Sequence, residues 1–323
     1  LMTFLTSIFL GLSMGSGALF SIYRGRGDES SLRLGIVHAF GLILCVTLML
    51  NAAVYLFLEP ILRFLQVPES VAPGMREYLL IIFAGLLATS LYNYLSCLLR
   101  ALGNSRSPLI AMVAASVTNI ALDLLFVVVF HWSVIGAAAA TVIAQGVSAA
   151  LGLVYLFRVK RVFRGVSFRL NRRTVLRLLA TSLSPFGLTM LNTVTLVVIN
   201  RGALAYGGSL AVACYAVMSY AICMVHFIIQ GIGDGAQPLL SRYYGAGEQE
   251  ALAQVRTLTF RSAPAAALLC GIALFLGRSA IPHLFGASNA ATRLFQVILP
   301  LFLLYLPFMS VVRILTSYFC ATE

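Results

Sequence analysis

The chain has 323 residues, of which 60% are hydrophobic and only 10% charged; a soluble domain carries about 25% charged residues, so a water-soluble globular protein is excluded. The net charge of +12 comes from 22 Lys and Arg against 10 Asp and Glu, and between long apolar runs it reads as a topology and lipid-headgroup signal, not as a nucleic-acid-binding surface. With no water in the bilayer core, spanning segments are helices or a closed barrel, and apolar runs of about twenty residues without strict alternation select helices.

In chain order the apolar runs predict nine spans, roughly Leu1 to Tyr23, Leu34 to Leu58, Tyr78 to Leu99, Leu109 to Phe130, Val134 to Phe157, Leu178 to Asn200, Leu210 to Ile232, Ser262 to Leu276 and Phe295 to Phe319. The seventh is expected either to end near Ile232 or to continue to Ser241, with the glycine-rich GIGDG stretch as an internal break. The first begins inside apolar sequence without a charged flank, which resembles neither a signal peptide nor a natural start. A truncated chain is therefore expected.

Gly231 to Glu248 (GIGDGAQPLLSRYYGAGE) repeats Gly11 to Asp28 (GLSMGSGALFSIYRGRGD) at a constant offset of 220, with seven identities in eighteen positions. The offset carries through Leu32/Leu252 and pairs Ile61 to Val71 with Ile281 to Ala291. This marks an internal duplication. Projected by the same offset, the span near Leu178 expects a partner about forty residues before Leu1, and the spans at Leu109 and Val134 expect partners beyond Glu323. The expected fold class is an all-α polytopic membrane protein of two parallel-repeat six-helix bundles, of which helices 2 to 10 are present. Residues 1–157 would form the N-terminal lobe, 158–177 a linker and 178–323 the C-terminal lobe.

Numbered in the complete protein, the loops from even to odd helices hold sixteen basic residues and the opposite loops five, which places the former in the cytoplasm. Half of the sixteen lie in Arg158 to Arg177, RVKRVFRGVSFRLNRRTVLR, which holds no acid. That segment reads as a tether along anionic headgroups, with a regulatory role as the alternative. His131 and Trp132 mark an interfacial turn.

The six Cys lie singly in or at the ends of apolar helices without a CxxC pair, and the four His form neither HExxH nor a recognisable triad. A disulfide framework, a zinc site and a membrane hydrolase are not expected. Gly11 and Gly15, like Gly231 and Gly235, are four apart and suit close helix packing. Gly25 and Gly27, like Gly245 and Gly247, suit a tight turn, with Asp28 or Glu248 as the following N-cap.

Charges inside membrane spans are costly and by default mark an internal polar pathway. Three qualify, Asp123, Asp234 and Arg313. Asp123 lies deepest, with Asn119 one turn away on the same helix face. The pair can hold a proton or Na+ between oxygen ligands, the alternative being a satisfied structural Asp. Asp234, near the cytoplasmic mouth, is expected to cap or gate. Arg313 shows no obvious carboxylate partner in sequence and is left to substrate, lipid or an absent helix.

The segments GSGALFSIYRGRGD, RALGNSRSPLIAMVAASVTNIALDLLF, VIGAAAATVIAQ and GIGDGAQPLLSRYYGAGE, in that order, resemble the multidrug and toxin extrusion (MATE) transporters, within the superfamily that includes lipid-linked oligosaccharide flippases. The resemblance implies two lobes around a cleft that opens alternately to either side, exporting cationic amphiphiles in exchange for H+ or Na+. It places Asn119 and Asp123 on helix 5 in the cation site of the N-terminal lobe and Thr141 on helix 6 as the hydroxyl completing it. Members with a second acidic site carry a Glu on helix 7 and an Asp on helix 10. Here Asn192 or Thr193 and Phe308 stand near those positions, which favours coupling through the N-terminal lobe alone.

The function expected is a secondary-active multidrug efflux antiporter, with a lipid-linked sugar flippase as the alternative. Asn192, Asp234 and Arg313 are candidates for a substrate cleft or gate. The expected partners are drug-like small molecules and the lipid bilayer, with no nucleic acid, for a monomer in the cytoplasmic membrane. The coupling ion would be the only cofactor, and no metal beyond Na+ and no catalytic residue is expected.

Overall fold

The computed structural model describes residues 2–64, 72–158 and 171–322. Residues 65–71 and 159–170, which hold part of the Ile61 to Val71 match and most of the basic linker, lie outside the described residues.

Among the described residues every regular element is helical: α1 (Met2–Gly25), α2 (Glu29–Leu56), α3 (Leu58–Phe64), α4 (Ala72–Ala84), α5 (Leu86–Ala101), α6 (Arg106–Asp123), a π-helix (Leu124–Val129), α7 (Ser133–Arg158), α8 (Arg172–Ala246), α9 (Gln249–Leu276), α10 (Ala280–Leu284), α11 (Asn289–Leu303) and α12 (Tyr305–Thr322). Seven stretches are long and apolar enough to cross a membrane, and α11 with α12, bent by 44°, makes an eighth. At 75 residues α8 would run about 110 Å at 1.5 Å per residue, far beyond a hydrocarbon core of about 30 Å. It therefore holds two crossings, divided at Gly208, whose φ of 61° and ψ of −160° leave the helix in a region that only glycine enters cheaply. That gives the nine expected spans. The GIGDG stretch is no break, since α8 runs through it to Ala246, and α9 starts at Gln249, ahead of the expected Ser262.

The duplication is visible element by element. At an offset of 220, α2 and α9 coincide end to end, and α5 falls on α12. Burial repeats at the same offset in Leu5/Val225, Phe9/Ile229, Ala39/Thr259, Leu86/Leu306, Ser90/Ser310 and Ala101/Ala321. The turns repeat as well. Asp28 N–H donates to Tyr23 C=O and Glu248 N–H to Tyr243 C=O, each at 3.0 Å, across Gly27 and Gly247 with φ of 69° and 75°. This is the glycine-closed helix end in which the left-handed residue lets the chain satisfy the last carbonyls.

The following caps differ. Asp28 accepts from Ser31 N–H at 3.0 Å and from the Ser30 hydroxyl at 2.7 Å, whereas Glu248 makes no side-chain cap bond. The Ser31 hydrogen bonds, followed by those of Ser30, hold the Asp28 carboxyl down to about 2 from an ordinary 3.8. A depressed folded-state pKa contributes stability above the unfolded value and loses it as pH falls through the folded one. The melting temperature of the detergent-purified protein should therefore fall more steeply between about pH 4 and 2 than that of an Asp28→Asn variant, which keeps the cap oxygen but cannot titrate. Parallel slopes would show that the cap carries no linkage.

The chain divides into two compact units, Leu1–Phe186 and Gly187–Glu323. The division falls later than the lobe boundary expected at Leu178, because Leu178 is 1% exposed in the core formed by α1, α2 and α5. Gly11 and Gly15 are the reason the start of α8 fits there. A Cβ on Gly15 would sit 2.7 Å from Ser182 Cα and N, and one on Gly11 2.8 Å from Phe186 Cβ, so the helices touch backbone to backbone. Gly231 and Gly235, their repeat partners in the second unit, have nothing within 4 Å of a built Cβ. The start of α8 is also held by His38, 7% exposed. Its Nδ1 lies 2.8 Å from Leu34 C=O and its Nε2 accepts Asn171 N–H at 2.9 Å, while Asn171 Oδ1 caps the helix by accepting Arg173 N–H at 3.0 Å. That pattern suits the tautomer with its proton on Nδ1.

The cores of the second unit join α8 to α9 and α12 through Val225, Ile229, Ala263, Ala267 and Leu306, and α8 to α11 through Met218, Phe295 and Leu299. Small residues at 263 and 267 let the helices approach closely, the main packing device where lipid tails remove the hydrophobic drive between helices.

Candidate functional site

In the first unit the site is built at the end of α6. Asn119 and Asp123 lie one turn apart, both half-buried, on a helix whose outer face presents Val117, Ile120 and Leu124. Asp123 Oδ1 and Asn119 Nδ2 are buried and have no hydrogen-bond partner among the described residues. Buried polar atoms are satisfied in the great majority of cases, so these two atoms on one face are free to hold a small ligand. The donor set fits a proton on the carboxylate or a cation such as Na+, because the Asn amide, turned over, presents its oxygen.

Directly after Asp123 the helix widens into the π turn Leu124–Val129, where Phe130 N–H bonds Leu125 C=O at 2.9 Å. Such insertions concentrate at functional positions and weaken the local hydrogen-bond ladder. Phe126 stacks on Trp132 with centroids 5.0 Å apart, and Gly136 makes room, since its Cβ would lie 2.9 Å from Phe126 Cβ. The expected turn at His131 and Trp132 is thus a tight reversal with φ of 56° at His131 and 50° at Ser133.

Thr141 stands on α7, which packs along α6, but its hydroxyl bonds its own helix at Ala137 C=O, 2.9 Å. No described bond joins it to Asn119 or Asp123. One turn further, Gln145 Oε1 accepts the Thr89 hydroxyl of α5, and Asn93 Nδ2 donates to Thr89 C=O at 2.8 Å. Sequence reasoning missed this Thr89–Gln145 link. Its signal was the four-residue spacing of Thr141 and Gln145, which places both on one face of α7.

In the second unit Arg313 does have a carboxylate partner. Its Nη2 lies 2.8 Å from Asp234 Oδ1, with side chains 7% and 20% exposed. Arg313 is thus not left to substrate, lipid or an absent helix, because the pair joins α12 to α8 across 79 residues of sequence. Asp234 is correspondingly no cap. It sits inside α8, and its Oδ2 takes a bond from Gln230 Nε2 at 3.3 Å. Phe308 is 74% exposed, and the Asn192 and Thr193 side chains lie outside the described residues.

Membrane-length apolar helices, an internal duplication and a half-buried carboxylate in each unit define a polytopic membrane protein with polar sites inside its bundles. Within that class the chain belongs to the MatE family, whose model matches residues 1–125 and 185–323. It is 36% identical over 157 residues to the probable multidrug resistance protein YpnP of Bacillus subtilis, covering 48% of this chain and 35% of that protein. It is 26% identical over 249 residues to the multidrug export protein MepA of Staphylococcus saprophyticus, covering 73% and 54%. The chain thus spans between a third and about half of the length of these relatives. Its fold matches an outward-facing multidrug resistance MATE family transporter of the MOP superfamily with a TM-score of 0.93 at 19% identity, over 99% of this chain and 72% of that one.

Proposed function

We propose that the protein is a secondary-active efflux transporter of the cytoplasmic membrane that exports cationic amphiphilic small molecules by alternating access, in exchange for H+ or Na+ held at Asp123 and Asn119. The observation that carries the reading is the pair of orphaned buried atoms, Asp123 Oδ1 and Asn119 Nδ2, on one face of a helix that passes straight into a π turn. A carboxylate among apolar side chains is stable when neutralised, and taking up or losing an ion there changes which local arrangement is favoured. The π turn supplies a backbone segment whose bonding can shift at low cost. The names of the relatives, a multidrug resistance protein and a multidrug export protein, support the substrate class.

A flippase for lipid-linked pyrophosphates needs cations free to meet phosphate. Among the described residues the buried arginine is Arg313, and it is committed to Asp234, which favours export of cations over flipping of anions. The test is export of ethidium from vesicles holding the complete gene product, under imposed H+ or Na+ gradients. The reading expects one gradient to accelerate export and its collapse to stop it. Export indifferent to both gradients would overturn it.

A further inference from the structure

The second unit holds a polar stripe that the ion site in α6 does not use. His226, Gln230, Asp234, Gln237 and Ser241 follow one another on α8 at spacings of four, four, three and four. At 100° per residue they fall within about 80° of one another and extend about 22 Å along the helix, most of the hydrocarbon thickness of about 30 Å. The stripe ends one residue before Arg242, on the side that the basic loops mark as cytoplasmic. Arg313 of α12 closes it opposite Asp234.

Three buried polar atoms along it have no protein partner among the described residues: Gln237 Nε2, Ser241 Oγ and Arg313 Nε. Their residues are 7%, 0% and 6% exposed. Donors and a hydroxyl in a row between helices are satisfied by water, whose two lone pairs and two protons suit that set. The fold does not need these groups. At the offset of 220 the first unit carries Thr6, Leu10, Met14, Gly17 and Ser21 on α1, and Asn93 on α5, and α1 and α5 pack closely with these uncharged residues at the equivalent positions. The duplicate at the charged positions is Met14 with Asn93, so the ion pair belongs to the second unit alone.

We propose that this stripe is a hydrated proton path from the cytoplasmic end of α8 to Asp234, with Gln237 and Ser241 ordering its water. One proton delivered by water adds to Asp234 Oδ2, and the carboxylate becomes a neutral carboxylic acid. Gln230 then turns its amide oxygen to accept that proton's hydrogen bond, and the link to Arg313 weakens from a charged pair to a neutral acceptor. Arg313 is the charge facing Asp234 from α12, and the charged residues of α9, Glu250, Arg256 and Arg261, are all exposed. The path is a feature of the second unit and does not depend on Asp123, although it supplies a transporter with a second proton-responsive element.

The experiment is infrared difference spectroscopy of the complete gene product in liposomes, following the carbonyl band of protonated carboxylic acids after a drop in pH. Wild type is expected to gain a band that Asp234→Asn lacks and Asp123→Asn retains. Gln237→Leu is expected to slow its appearance at least tenfold and leave its final amplitude unchanged. The double variant Asp234→Met/Arg313→Asn, which copies the first unit, is expected to insert and melt as wild type does, without the band. A band untouched by Asp234→Asn, or unchanged kinetics in Gln237→Leu, would overturn the path. A double variant that fails to fold would show that the pair is a packing element. Loss of the band in Asp123→Asn only would bear on the α6 site and likewise remove Asp234 as the acceptor.

Discussion

Replacing Asp123 by Asn is expected to abolish gradient-driven export while leaving membrane insertion intact. The substitution keeps the shape of the side chain and removes a charge whose insertion near the centre of a membrane helix costs about 2.5 to 3.5 kcal/mol. Folding therefore has no reason to suffer. What is lost is the ionisable group that Asp123 brings to the α6 site, since Asn119 and Thr141 carry no charge in either state and the Thr141 hydroxyl is already bonded to Ala137 C=O. Asn119→Ala is expected to act more mildly, weakening ion affinity without removing the ionisable group. Efflux of ethidium from cells, normalised to expression, measures both. Wild-type efflux in well-expressed Asp123→Asn would make the carboxylate structural.

The second large effect concerns folding. Gly15→Leu would place a Cβ 2.7 Å from the backbone of Ser182, and backbone cannot step aside as a flexible side-chain tip can. Forcing the helices apart there separates the start of α8 from the core around Leu19, Leu98 and Leu178. Overpacking costs typically 1 to 3 kcal/mol and more where nothing can relax, so a cost of about 3 kcal/mol or more is expected, out of a total that for most domains is about 5 to 15 kcal/mol. Gly235→Ala, at the repeat position where nothing lies within 4 Å, is expected to be neutral or to stabilise slightly through helix propensity. Thermal unfolding of the two variants in detergent separates the cases. Equal melting temperatures would mean that the Gly15 contact carries no packing energy.

The glycines explain why so much of the fold was legible. Gly27 and Gly247 are needed for their positive φ and Gly15 for a close approach. These needs survive duplication when most other side chains drift, so the offset of 220 could be read without a structure. The span count followed from length and hydropathy alone, and the break at Gly208 falls in the gap expected between Asn200 and Leu210. The π turn after Asp123 left no mark, because LLFVVV satisfies an α-helix equally well and the widened ladder comes from packing of Phe126 against Trp132 and Gly136. Nor could Arg313 be matched to Asp234, since sequence reasoning pairs residues within a helix, and this contact crosses from α12 to α8. The extension of the first unit to Phe186 was hidden for the same reason: Leu178 looks like the start of a span, and only the contact with Gly11 and Gly15 shows which core it enters.

The claim that Asp123 and Asn119 hold the coupling ion is tested most directly by ion release from the purified complete gene product on addition of ethidium, recorded as proton release into weakly buffered solution and as displacement of bound sodium-22. An antiporter with this site releases one of the two ions in wild type and neither in Asp123→Asn. Equal release by wild type and Asp123→Asn would contradict the account.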